Sequence, residues 1–123
     1  MNNSARVYFD ADVGVKGNVF WNLKLQYVFI NNSGLKEMGF KEDEAIGKTD
    51  KQLGLPKSVA VSRMTSLQQV IDTKKSLIDY STYKMNEKVR YFVNKLYPEL
   101  NSEGELEGII SFTRHISDSN LTD

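Results

Sequence analysis

Between residues 27 and 54 the chain reads YVFINNSGLKEMGFKEDEAIGKTDKQLG, a short apolar run followed by glycines at 34, 39, 47 and 54. Breaks that frequent leave room only for helices of one or two turns, and such helices do not hold their shape alone in water. They must lie against something larger. The first is expected over Ser33–Met38, capped by Asn32 or Ser33 and ended by Gly39. KEDEAIG gives a second, closed by Gly47, and TDKQL a third, where Thr49 and Gln52 have capping-box spacing. Leu35, Met38, Phe40, Ile46 and Leu53 are the side chains available to anchor them.

The surface they need is written in the last third of the chain. SLIDYSTYKM (76–85), KVRYFVNKLYP (88–98) and EGIISFTRH (107–115) are rich in aromatic and β-branched residues and read as three strands. Asn86-Glu87 makes a tight turn between the first two, and NSEGELEG a longer hairpin before the third. Pro98 cannot donate to a sheet ladder and marks a strand end or bulge. Upstream, NVFWNLKLQYVFINN gives two more strands, Val19–Trp21 and Tyr27–Ile30, joined by a turn over Asn22–Gln26. One long helix follows Pro56, from Ser58 to Thr73. Val61, Met64, Leu67 and Ile71 share one face and are expected inside; Ser62, Arg63, Ser66, Gln69 and Asp72 are expected toward solvent. The order β-β-α-α-α-α-β-β-β specifies an α+β fold: a five-stranded antiparallel sheet with short helices and one longer helix packed across one face.

The 123 residues suit one domain, preceded by a leader over 1–18. Gly14 and Gly17 interrupt any helix there, while Val7, Tyr8, Phe9, Val13 and Val15 need cover. Packing on the outer sheet face, against a second copy of the chain, would supply it, so a homodimer is expected. Sixteen basic and sixteen acidic side chains cancel, giving no field that favours nucleic acid or an anionic membrane. No apolar run is long enough to span a bilayer, so no membrane contact is expected of this segment. Cysteine is absent, which excludes thiolate chemistry and cysteine-held metals. No phosphate loop, H-E-x-x-H or G-x-S-x-G occurs, so no catalytic residue and no metal ligand is assigned.

Several pieces, in order, resemble a PAS domain of the sensory kind found in bacterial histidine kinases and related signalling proteins. VFW is similar to the family's first strand, and YVFINNSGLKEMGF to its second strand, terminal asparagine and following helix. AIGKTDKQL carries the recurring IGKTD segment, with Gly47, Lys48, Thr49 and Asp50 in place. KLYPELNSEGELEGIISFTRHISD resembles the closing hairpin. The likeness runs over 19–118, leaving 119–123 as the start of an output linker. The sequence departs from the pattern at Asn22, Glu99 and Asn101, and His115-Ile116-Ser117 stands where the family has D-I-T, whose aspartate commonly couples the last strand to the exit helix.

The resemblance implies a sensory input domain rather than an enzyme, binding a small molecule between sheet and helices and relaying a change to a C-terminal output helix. The implied parent is a sensor histidine kinase whose kinase domain is the partner in the same chain; this domain is expected in the cytoplasm, whether or not the parent is anchored in a membrane. The alternative is a ligand-free PAS-type interaction or dimerisation module. Neither haem nor flavin is expected as a cofactor: the lone histidine, His115, ends the last strand, and the cysteine of the photoadduct branches is missing. Candidate ligand contacts are Trp21, Met38, Met64, Tyr83 and Tyr91, with Arg90 as a forked anchor for a carboxylate; the ligand itself is expected to be small and neutral or anionic. Asp50, in a first helical turn, reads as a local cap.

Overall fold

Asn31 joins the two halves of the architecture. Its side-chain oxygen accepts from the Gly34 amide, capping the helix that follows, and from the Asn18 amide on the neighbouring strand. One carboxamide therefore satisfies two orphan donors and sets helix against sheet. The computed structural model describes residues 17–85 and 87–120, apart from the side chains at 83–85, 118 and 120. The elements are β1 (Gly17–Asn22), β2 (Tyr27–Ile30), α1 (Asn32–Met38), α2 (Glu42–Ala45), α3 (Lys57–Thr73), β3 (Leu77–Met85), β4 (Lys88–Leu100) and β5 (Leu106–Asn120). Readings that concern the 1–16 part of the leader, Asn86 and residues 121–123 fall outside the described residues.

The five strands form one antiparallel sheet in the order β2-β1-β5-β4-β3. The first strand of the fold thus pairs with its last, and Gly108 is where they meet most tightly: a Cβ there would overlap the Trp21 carbonyl oxygen. The helices lie across one face, α1 against β1 and α3 against β3, β4 and β5. Trp21, Tyr27, Ile30, Leu67, Val70 and Ile109 fill the core between the layers, with Leu35, Met38, Phe40 and Leu53 packed against it. Ile46 is exposed instead. Ile110 and Phe112, one residue out of phase, form a second cluster with Phe20 on the other face of the sheet.

TDKQL makes turns, not a third helix. Its capping box is real: the Thr49 amide donates to Gln52 Oε1 at 2.9 Å and the Gln52 amide to Thr49 Oγ1 at 3.2 Å. The helix cannot continue because Gly54 turns left-handed at φ 73° and Pro56 disfavours a helical Leu55. In the first hairpin Leu25 reaches the core by adopting φ 62°, held by Asn22, whose side chain accepts from the Lys24 and Gln26 amides. The ladder shifts between Glu99 and Leu100, beside Pro98. A second shift separates Tyr91 from Phe92: Tyr91 pairs with Ser117 and Phe92 with His115, so Ile116 is an extra residue in β5.

Candidate functional site

Only half of the apolar face expected of α3 turns inward: Leu67 is buried and Ile71 packs against the core. Val59, Ser62, Arg63, Ser66 and Leu67 line a cavity, continuing to buried Val70 at helical spacing. Val61 and Met64 lie on the exposed side. This orientation brings Arg63 and Ser66 to polar partners between the layers. Arg63 Nη1 donates to the Tyr27 hydroxyl at 2.9 Å, and Ser66 Oγ donates to Asp79 Oδ2 at 2.6 Å.

The cavity between α3 and the sheet has a volume of about 340 Å³. Val19, Trp21, Leu67, Phe92 and Leu96 give it apolar walls. Its floor is a polar network across three strands. Asn94 Nδ2 donates to Asp79 Oδ1 at 2.9 Å and to Ser81 Oγ at 3.0 Å, while Thr113 Oγ1 donates to Asn94 Oδ1 at 2.8 Å. Each of these side chains sits on the cavity face because alternate residues of β3, β4 and β5 point there.

Two arginines border the space, each beside a carboxylate. Asp50 is 1% exposed and accepts from the Tyr27 hydroxyl; Arg63 stands 3.5 Å from the same carboxylate oxygen. Burial pushes the Tyr27 phenol far above its ordinary pKa, with Arg63 pulling against this and Asp50 adding to it. Burial works against the charge on Arg63, but the Tyr27 oxygen and Asp50 outweigh it and raise its pKa. The Trp21 ring stacks near Tyr27, with centroids 3.9 Å apart, and the Arg63 guanidinium lies 5.9 Å from the indole centroid. Two buried atoms in this cluster have no hydrogen-bond partner among the described residues: Trp21 Nε1 and Asp50 Oδ2. On the other side, Arg90 Nη1 on β4 meets Glu37 Oε2 on α1 at 2.6 Å, with 21% and 33% of the two side chains exposed.

Of the residues expected at a ligand, the structure brings Trp21, Met38 and Arg90 to the cavity. Met64 is on the exposed face of α3 and does not line it. Tyr91 faces the opposite side of β4, its hydroxyl 3.2 Å from Ser119 Oγ. The Tyr83 side chain lies outside the described residues. Arg90 is engaged by Glu37 rather than offering an unpaired fork. Asp50 is no local cap but the buried partner of Tyr27 and Arg63. Arg63, Ser66, Asp79 and Asn94 went unread as site residues, since each looks like an ordinary polar surface position in the sequence. Among the described residues, no group of three or more His, Cys, Asp or Glu could hold a metal ion, and no helix is long and apolar enough to cross a membrane.

A family model described as the PAS fold matches residues 16–120. The chain superposes on the PAS domain of BvgS from Bordetella pertussis with a TM-score of 0.77 at 19% identity, covering 94% of this chain and 85% of that one. VqmA bound to DPO gives 0.74 at 18% identity, covering 92% of this chain and 57% of VqmA. The ligand and DNA complex of Vibrio cholerae VqmA gives 0.74 at 17% identity, covering 94% of this chain and 51% of that one. A sensory box sensor histidine kinase from Vibrio cholerae gives 0.66 at 12% identity, covering 93% and 94% of the two chains. At these identities the likeness establishes the fold alone. No curated protein matches the sequence.

Proposed function

This chain belongs to the PAS-fold family, and from that premise we propose that it is the sensory input domain of a sensor histidine kinase, acting as a homodimer. It binds a small molecule between the sheet and α3 and passes the resulting displacement to the segment beyond β5. The observation that carries the reading is the cavity: about 340 Å³ of space with serine, arginine, aspartate and asparagine side chains converging on it. That volume lies at the lower end of the range for small-molecule sites, roughly 300–1,000 Å³. A module serving only as a spacer or interaction surface gains nothing from leaving such space between its layers.

The kinase output is supported by the likeness to the sensory box sensor histidine kinase from Vibrio cholerae. VqmA, solved with ligand and DNA, carries the same fold beside a different output. The near-zero net charge of this chain favours the kinase reading over direct DNA contact. A thermal-shift screen of metabolites tests the sensory role. At least one compound should raise the melting temperature of the wild-type chain and lose its effect in Ser66→Leu, which fills the cavity from α3. A screen in which no small molecule shifts the wild-type melting curve would overturn it in favour of the interaction module. Phosphorylation of the parent chain that responds to the active compound would establish the output.

A further inference from the structure

Which chemistry the cavity accepts follows from which of its hydrogen-bonding groups are already used. Its lining holds two arginines, Arg63 and Arg90, and two carboxylates, Glu37 and Asp79; a third carboxylate, Asp50, stands directly behind Arg63. Carboxylates therefore outnumber guanidinium groups by one. Arg90 is committed to Glu37, and an incoming anion would have to displace that partner and leave it half-buried beside the site. A lone carboxylate or phosphate is the wrong guest.

The two ends of the cavity differ in what they still offer. At the Trp21 end the remaining capacity is for donation. Arg63 makes its bonds to Tyr27 and Asp50 through Nη1 alone, so the Nε and Nη2 protons have no partner among the described residues. The indole N–H of Trp21 also lacks one, although Trp21 is 2% exposed and lines the cavity. A buried donor without an acceptor is costly, and a bound oxygen would relieve it. At the β3–β4 floor the remaining capacity is for acceptance. Each Asp79 oxygen takes a single bond, one from Ser66 and one from Asn94, and a carboxylate oxygen accommodates two. Between these ends the surface is Val19, Leu67, Phe92 and Leu96.

We propose that the ligand is a small molecule of no net charge that carries an oxygen acceptor at one end, held by Arg63 and the Trp21 indole N–H, and an N–H or O–H donor at the other, held by Asp79. This rests on the sensory reading above and specifies its ligand. Both a neutral amide-type compound and a zwitterion satisfy the pattern, and the two are separable. At about 30 Å³ per water-sized volume, the cavity holds on the order of ten such volumes, so aryl compounds of nine to twelve non-hydrogen atoms, roughly, are suitable probes.

The test uses 4-(aminomethyl)benzoic acid, a zwitterion, and its neutral isomer 4-hydroxyphenylacetamide, each with acceptor and donor at opposite ends of the ring, against 3-phenyllactate (anion), phenethylamine (cation) and propylbenzene (apolar). Melting temperature and the fluorescence of Trp21, the only tryptophan, are read for each. One or both isomers should raise the melting temperature and shift the emission, binding at least about tenfold tighter than the other three. Asp79→Asn then identifies the source: it should weaken the zwitterion by about tenfold and the amide by no more than about threefold. Arg63→Lys, which keeps the charge but loses the fork, should weaken either isomer and spare propylbenzene. Trp21→Phe provides a second variant with the same expectation, read by melting temperature. Tightest binding by phenyllactate or propylbenzene would overturn the assignment while leaving the sensory role intact. So would unchanged affinity of the isomers in both Asp79→Asn and Arg63→Lys. Failure of all five probes rejects this ligand class, and the metabolite screen decides separately whether the domain senses anything.

Discussion

Two arginine–carboxylate pairs border the same cavity, and they are built for different tasks. In one, Asp50 is sealed inside, bridged to Arg63 through the Tyr27 hydroxyl, and tied to residues 13 and 23 positions away. In the other, Glu37 and Arg90 meet directly across 53 residues but stay partly in water. The first joins α3, β2 and the turns after α2, so removing it loosens three elements together. The second joins only α1 to β4, at a point where water can replace either partner. Desolvation decides the difference: a sealed charge must be paired, whereas a wet one gains little from pairing.

Asp50→Ala should produce the largest loss. It strands the Tyr27 hydroxyl and removes the counter-charge of Arg63, at a cost of about 3 kcal/mol. Urea denaturation should show the midpoint falling with little change in slope; a loss within 1 kcal/mol or so would mean the cluster behaves like the wet pair.

Tyr27→Phe should cost about 2 kcal/mol by leaving Asp50 one donor short, and it changes the alkaline limb of stability. The Tyr27 pKa is raised in the folded protein above the ordinary phenol value of 10.0. The unfolded chain therefore releases that proton first as pH rises. The contribution is present in full below about pH 10 and declines above it, with a slope approaching 1.4 kcal/mol per pH unit or so. Stability measured from pH 9 to 11.5 should fall more gently in Tyr27→Phe than in wild type; parallel curves would show that Tyr27 titrates normally.

The smallest effects belong to the other pair. Glu37→Gln and Arg90→Ala should each cost about 1 kcal/mol or less, and a double-mutant cycle should give a coupling of about 0.5 kcal/mol. Coupling above about 2 kcal/mol would place this pair with the sealed one. Glu37→Gln should also let Arg90 take an anion, so 3-phenyllactate should gain affinity in that variant while the wild type rejects it.

The same contrast separates what could be read in the sequence from what could not. Gly39 and the Thr49–Gln52 box are local, with their partners within four residues, and alternation over 88–98 and 107–115 survives as ladder and faces. These features were legible. The cap itself is Asn31 rather than Asn32 or Ser33, chosen by its second bond to the distant Asn18 amide. The rotation of α3 was not legible, because the stripe that lines the cavity contains Ser62, Arg63 and Ser66 while exposed Val61 and Met64 imitate a core face. Asp50 has a complete local explanation as a first-turn acid, and nothing in spacing links it to Tyr27 or Arg63. Their meeting is a product of the fold. A hint existed in the arginine itself, one charged residue amid a helix whose other inward positions are small or apolar.

The extra residue Ile116 has a consequence for anyone joining this domain to another. Before it, odd-numbered residues of β5 face the cavity, as Ser111 and Thr113 do; after it, Ser119 meets Tyr91 on the opposite side. The last described residues of β5 thus run with their phase inverted. Chimeric receptors spliced downstream should therefore be counted from Ser117, not from the hairpin. Removing a single residue at 116 would turn the tail half a strand period while leaving every upstream pairing in place.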